Sequence, residues 1–100
     1  MPKIIEYFGL IFFFWGNEHL PIHVHVQYNE YETKFELLYE NGTLSLKKRK
    51  IKGIEHLPAS KIKEAEKVIQ HYHELIIEDW TNFFILHKKV KSIKITKKLN

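Results

Sequence analysis

The stretch "YETKFELLYENGTLSLKKRK", residues 31–50, decides the fold because it predicts two strands and the turn between them. Asn41 and Gly42 both tolerate the positive φ of a two-residue type I′ turn, the strongest hairpin signal in the chain. Apolar and polar residues alternate before the turn, as they do in a half-buried strand. With this turn, Glu36 faces Lys47 across the predicted hairpin.

The preceding stretch "IHVHVQY", residues 22–28, alternates His and Val with period two and predicts a third strand. A turn at residues 29–30 pairs His23 with Glu36. One face of the predicted sheet is then apolar and carries Val24, Val26, Phe35, Leu37, Tyr39, Leu44 and Leu46. The opposite, polar face carries His23, His25, Lys34, Glu36, Lys47 and Arg49, and we expect it to be left to solvent or a partner. A one-residue slip in either hairpin would exchange the two faces.

The N-terminal stretch "KIIEYFGLIFFFWG" predicts a further hairpin, with Gly9-Leu10 as its turn. Its apolar run is far shorter than the roughly 20 residues that a membrane helix needs. It also lacks the basic start and small-residue cleavage site of a secretory leader. We therefore expect a cytoplasmic protein without a membrane partner.

The second half predicts one long helix that begins after Pro58, with Ser60 as its N-cap. Steps of three and four residues give an apolar stripe of Ile62, Ala65, Ile69, Tyr72, Ile76, Trp80 and Phe83. The predicted fold is α+β, an antiparallel sheet of about five strands packed on one long C-terminal helix. Residues 1–87 form the predicted domain, and residues 88–100 form a basic tail, either an edge strand or a frayed arm.

Charge is distributed unevenly between the halves of this 100-residue chain, whose net charge is +4. Residues 1–46 hold two basic and six acidic side chains, whereas residues 47–100 hold fourteen basic and six acidic ones. Such basic clusters suit an anionic partner such as RNA, although many are only solvated surface. The chain has no cysteine, which excludes disulfides, thiolate zinc sites and a cysteine nucleophile.

The cluster "HLPIHVHV", residues 19–26, is compatible with two chemistries. His23 and His25 lie on one side of a strand and could chelate a divalent metal, with His19 or Glu36 as a third ligand. Alternatively, the two histidines could transfer protons in a metal-independent cleavage of RNA through its 2′-hydroxyl. Glu36 would then orient an imidazole, and the phosphate would be held by Lys34, Lys47, Lys48, Arg49 and Lys50.

The opening "MPKIIEYFGLIFFFWGNEHLPIHVHV" resembles a family of small bacterial proteins catalogued as domain of unknown function 4160. Members start Met-Pro-x-Ile and reach an acidic-His-x-Pro-Pro-His-Phe-His-Val signature, which stands here at residues 18–26. Ile22 replaces the second proline and Val24 replaces the phenylalanine, but all three histidines are present. The later "LPASKIKEAEKVIQHYHELIIEDW" is similar to the family's helix, so the resemblance covers most of residues 1–85.

The resemblance implies a type II toxin–antitoxin module, because such genes often lie beside a small partner catalogued as domain of unknown function 2442. We therefore expect a toxin that acts on RNA or the translation machinery, with a small antitoxin protein as its main partner. His19, His23, His25 and Glu36 are the expected catalytic residues, and no cofactor is needed. One alternative is a metal-binding protein or metal-dependent enzyme that uses His19, His23 and His25. Another is a non-catalytic module that binds nucleic acid or protein, and oligomerisation remains open.

Overall fold

The chain folds into one mixed sheet with two sequential helices packed on one face. The structure, a computed structural model, describes residues 2–15 and 20–100. The strands are β1 (Lys3–Tyr7), β2 (Leu10–Phe13), β3 (His23–Tyr28), β4 (Tyr31–Glu40), β5 (Thr43–Lys50) and β6 (Ile93–Ile95). The helices are α1 (Ala59–His71) and α2 (His73–Phe84). In this part of the chain the sheet order is β5-β4-β3-β2-β1-β6, and no helix is long and apolar enough to span a membrane.

The register predicted for the two central hairpins is confirmed. His23 pairs with Glu36 across β3 and β4, and Glu36 pairs with Lys47 across β4 and β5. Asn41 and Gly42 have positive φ values of 52° and 79°, which is the backbone that a type I′ turn requires, and Asn29 has a φ of 52° at the first central position of the other turn. The register set by these two turns therefore determines which side chains of β3 lie on each face of the sheet.

The predicted turn of the N-terminal hairpin was wrong by one residue. Tyr7 pairs with Leu10, so Phe8 and Gly9 form the turn and Leu10 is the first, buried residue of β2. Phe8 and Gly9 have φ values of 42° and 88°. Because both central positions need positive φ, the glycine takes the second position rather than the first.

The sheet has six strands and is mixed, which corrects the prediction of an antiparallel sheet of about five. β6 pairs in parallel with β1 at the edge opposite β5. The chain around β6 is also held by side chains: the backbone N–H of Leu99 donates to the Tyr7 hydroxyl at 3.0 Å, and Lys94 Nζ lies 3.6 Å from Glu6 Oε2. Residues 93–95 thus extend the sheet, and the domain boundary at residue 87 stays a prediction.

The single long helix was also a wrong prediction, because the helix breaks at Tyr72. This residue has φ −109° and ψ 22°, outside the helical range, and separates α1 from α2. α1 is capped by Pro58 and not by Ser60, which lies within its first turn. The backbone carbonyl of Pro58 accepts the N–H groups of Lys61 and Ile62, both at 2.9 Å, and thereby starts the helix.

The apolar stripe of the helices packs on the valine-bearing face of the sheet, as predicted. Val24, Val26 and Phe35 are fully buried, and from the helices the core takes Ile62, Ala65, Val68, Ile69, Ile76 and Trp80. Tyr39, expected in the core, is instead 48% exposed. It lies on the part of β4 that extends past His23, where β5 is its paired neighbour.

Asp79 is an acidic residue buried in α2, with 6% of its surface exposed. Its Oδ2 atom has no hydrogen-bond partner among the described residues. Burial, reinforced by the neighbouring Glu78 carboxylate, raises the pKa of Asp79 to about 6. The folded protein therefore binds a proton at Asp79 more tightly than the unfolded chain does.

We expect this difference to make the fold less stable as the pH rises from about 4 to above 6, since the unfolded pKa lies near 4. Asp79→Asn cannot ionise, so the variant should not lose this stability. Its free energy of unfolding, relative to that of the wild type, should therefore rise by up to about 3 kcal/mol between pH 4 and pH 7. Urea unfolding of both proteins across this range measures the difference. A difference that does not change with pH would contradict the assignment to Asp79.

Candidate functional site

β3 lies in the middle of the sheet and presents His23 and His25 on the face opposite the core. Val24 and Val26 point to the helices, so alternation places the two imidazoles on the other side. Each histidine is only 4% exposed. The expectation that this face is left to solvent or a partner is therefore wrong at these two positions.

Aromatic residues of the N-terminal hairpin cover His25. Phe13 of β2 pairs directly with His25, and their rings stack with centroids 5.4 Å apart and an interplanar angle of 23°. The edge of Trp15 contacts the same imidazole at a centroid distance of 6.2 Å. The rings of His23 and His25 lie 5.5 Å apart. The histidine pair is thus packed within an aromatic cluster and not spread on a surface.

Each imidazole is oriented through its Nδ1 atom. His25 Nδ1 lies 3.1 Å from Glu32 Oε2, and His23 Nδ1 lies 2.8 Å from the backbone carbonyl oxygen of Pro21. A carbonyl and a carboxylate can only accept, so both Nδ1 atoms carry hydrogen. In the neutral rings the lone pair then resides on Nε2, the atom through which an imidazole would take a proton or bind a metal.

Glu32, which the sequence analysis did not single out, is the central acceptor of this cluster. Its side chain is 7% exposed, and its Oε2 atom accepts from His25 Nδ1 and, at 3.5 Å, from Trp15 Nε1. Glu32 comes two residues before Lys34, the direct partner of His25. A search of diagonal cross-strand neighbours, which also lie within reach, would have found it.

The loop after β5 supports β4 at this position. The backbone N–H of Glu32 donates to the carbonyl oxygen of Glu55 at 3.1 Å. The next residue, Thr33, accepts the backbone N–H of Leu57 at 3.0 Å and contacts His56 Nδ1 at 2.9 Å. These bonds hold the backbone that carries the Glu32 carboxylate.

Glu36 lies opposite His23 as predicted, but its described contact is with a different residue. Arg49 Nε donates to Glu36 Oε1 at 3.1 Å, with the guanidinium half exposed and the carboxylate 11% exposed. Of Glu32 and Glu36, Glu32 is the carboxylate that orients an imidazole among the described residues, because it accepts a hydrogen bond from His25.

The five predicted phosphate-binding cations are divided between the two faces of the sheet. Lys34 of β4 pairs with His25 of β3 on one side and with Arg49 of β5 on the other. Lys47 of β5 pairs with Glu36, which in turn pairs with His23. These three cations share the face of the histidines. Alternation directs the other two, Lys48 and Lys50, to the opposite face, and the residues of 47–50 are all exposed.

The third predicted ligand or catalytic histidine, His19, lies outside the described residues. Among residues 2–15 and 20–100, no group of three or more His, Asp or Glu side chains is arranged to hold a metal ion. Of the predicted set His19, His23 and His25, the structure describes His23 and His25.

Comparison with known families gives a match to Domain of unknown function (DUF4160) over residues 9–81, well over half of the chain. The chain belongs to this family. The matched region includes β2 to β5, most of the helical region and the whole histidine signature. Comparisons with curated proteins and with solved structures gave no match. Membership in DUF4160 therefore brings no assigned activity, and the chemistry has to be inferred from the site.

Proposed function

We propose that this protein is the toxin of a type II toxin–antitoxin pair and that it acts on RNA through proton transfer at His23 and His25. The toxin role rests on the resemblance to DUF4160, whose genes often accompany a small partner. The chemistry rests on one observation, the buried hydrogen bond between His25 Nδ1 and Glu32. A carboxylate in this position fixes the tautomer and stabilises the imidazolium formed when Nε2 accepts a proton.

The proposed reaction uses both imidazoles. His25 Nε2 takes the proton from a ribose 2′-hydroxyl, and the resulting oxygen attacks the adjacent phosphorus. The bond from phosphorus to the 5′-oxygen breaks, and His23, protonated beforehand, donates a proton to that leaving oxygen. The ring separation of 5.5 Å is compatible with two groups that act on one phosphate. The reaction is balanced without a metal or redox partner.

The cations on the histidine face would hold the phosphate. Neighbouring strands lie about 5 Å apart, which places the backbone of Lys34 one strand from His25 and that of Arg49 two strands away. Lysine and arginine side chains can span such distances and would stabilise the charge that develops on the phosphate oxygens. Arg49 would exchange its half-exposed ion pair with Glu36 for this contact.

In this proposal, access to His25 involves a movement of Trp15, which contacts its imidazole. His23 and His25 are nearly sealed, whereas Trp15 is 45% exposed and is bound to Glu32 by a long 3.5 Å hydrogen bond. Its displacement should cost less than that of a core aromatic and would expose that side of His25 to substrate. Burial in the closed state excludes water, which strengthens the electrostatic interactions of the site.

Expression of the chain alone should arrest bacterial growth, and co-expression of the neighbouring gene product should relieve the arrest. His23→Ala, His25→Ala and Glu32→Gln should each abolish the arrest and slow RNA cleavage in vitro about 100-fold or more, because each removes or misorients a proton-transfer group. His71→Ala, at an exposed position of α1, is the matched control and should remain toxic. Growth curves, with immunoblots to equalise expression, make the measurement.

A harmless wild type, or histidine variants that arrest growth as well as the wild type does, would contradict the catalytic proposal. Salt-sensitive RNA binding that the histidine substitutions leave unchanged would favour a non-catalytic binding module instead.

A second candidate function, binding of a divalent metal, is favoured by the Nδ1 contacts of His23 and His25. Metal-ligating histidines typically donate the other ring N–H to a carboxylate or a backbone carbonyl, which are the acceptors found at Glu32 and Pro21. His19 would be the third ligand. The bound metal would polarise a substrate or activate a water molecule.

If this candidate is right, elemental analysis of the purified protein should give about one metal equivalent, because a specific site binds stoichiometrically. His23→Ala and His25→Ala should lose the metal, because each substitution removes a ligand. His71→Ala should retain it. Absence of zinc, manganese, iron, nickel and copper from the wild type, or retention by both variants, would exclude the candidate.

A further inference from the structure

The outer edge of β5 is a second feature with the geometry of a binding site. β5 has eight residues, pairs with β4 from Thr43 to Lys50 without a register shift, and is the last strand of the sheet on its side. Within residues 2–15 and 20–100, no strand pairs with its other side. The opposite edge of the sheet, β6, has only three residues. A long, regular edge strand presents backbone groups that can pair with another chain.

The hairpin geometry determines which backbone groups face outward. Glu40 and Thr43 flank a two-residue turn, and residues in this position exchange both backbone hydrogen bonds. Alternate residues of β5 therefore bond to β4, and the residues between them direct N–H and C=O away from the sheet. The outward set is Leu44, Leu46, Lys48 and Lys50.

The charge of this edge limits what can bind there. Residues 47–50 are four consecutive exposed cations, and of these only Arg49 forms an ion pair within the described residues. A second copy of the chain would place two such clusters on one strand pair, where like charges repel. Single-stranded RNA would satisfy the charges but cannot continue a ladder of backbone N–H and C=O groups.

We propose that the outer edge of β5 accepts an extended acidic segment of a partner protein as an added strand. Backbone hydrogen bonds to the outward set would provide affinity, and the cations of residues 47–50 would select for carboxylates. Because the added strand needs the backbone of β5 and not the imidazoles, the proposal holds whether or not the protein cleaves RNA.

Lys48→Pro tests the proposal because it removes an outward N–H without removing a bond to β4. Proline is tolerated where the N–H of an edge strand faces solvent. Lys48→Ala is the matched control, since it removes the same charge and keeps the N–H. The probe is a synthetic ten-residue peptide that alternates glutamate with threonine, and a peptide that alternates lysine with threonine is its control.

In an NMR titration, we expect the acidic peptide to bind the wild type and Lys48→Ala with affinities within about fivefold of each other, since one exposed charge contributes little. Lys48→Pro should bind at least about tenfold more weakly, because a backbone hydrogen bond is lost and the neighbouring donors are hindered. Hydrogen exchange in the wild-type complex should slow at the amides of the outward set and not at Ser45, Lys47 and Arg49, which already bond to β4.

Equal binding of both peptides, equal binding to Lys48→Pro and Lys48→Ala, or no binding at millimolar peptide would overturn the proposal. Protection of the wild-type amides by an RNA oligonucleotide or by self-association, and not by the acidic peptide, would also overturn it. If Lys48→Pro does not fold, the wild-type exchange pattern alone decides: protection confined to the outward set supports strand addition, and uniform or absent protection contradicts it.

Discussion

The alternation of β3, held in register by two tight turns, is the constraint on which both the core and the candidate site depend. Val24 and Val26 complete the core beneath the helices, while His23 and His25 reach the opposite face. A shift of one residue would bury the imidazoles against α1 and α2 and expose the valines. The positive φ values at Asn29 and Asn41 therefore help to determine the face on which the two histidines lie, as well as the local fold.

The second face of the sheet is organised around the Glu32 carboxylate. A buried carboxylate is costly unless donors surround it, and here His25 and Trp15 both donate to it. In return, the carboxylate fixes the tautomer of His25 and ties the exposed indole of Trp15 to the sheet. The same carboxylate therefore orients the imidazole of His25 and binds the indole that packs against it.

Local sequence patterns were sufficient to predict the register of β3, β4 and β5, because two-residue turns and period-two alternation are both short-range. The break at Tyr72 could not be predicted in the same way, since the apolar stripe continues from α1 into α2 across it. The parallel pairing of β6 with β1 joins residues almost 90 positions apart and leaves no local signature.

Burial of the histidine pair was missed for a related reason. It depends on Phe13 and Trp15, which reach His25 only because β2 lies beside β3 in the sheet. Within the two hairpins, the direct cross-strand partner of His23 is Glu36, whereas Glu32 is a diagonal neighbour of His25. Strand order and diagonal neighbours were the missing information.

The imidazole tautomers test the central claim most directly. Long-range proton–nitrogen NMR spectra of the uniformly labelled protein near neutral pH report which ring nitrogen of each histidine carries hydrogen. The structure predicts hydrogen on Nδ1 of both His23 and His25, with the lone pair of the His25 ring on Nε2, and loss of the fixed Nδ1–H state at His25 in Glu32→Ala. An Nδ1 atom without hydrogen in either histidine, or rapidly averaged tautomers in the wild type, would contradict the proposed site.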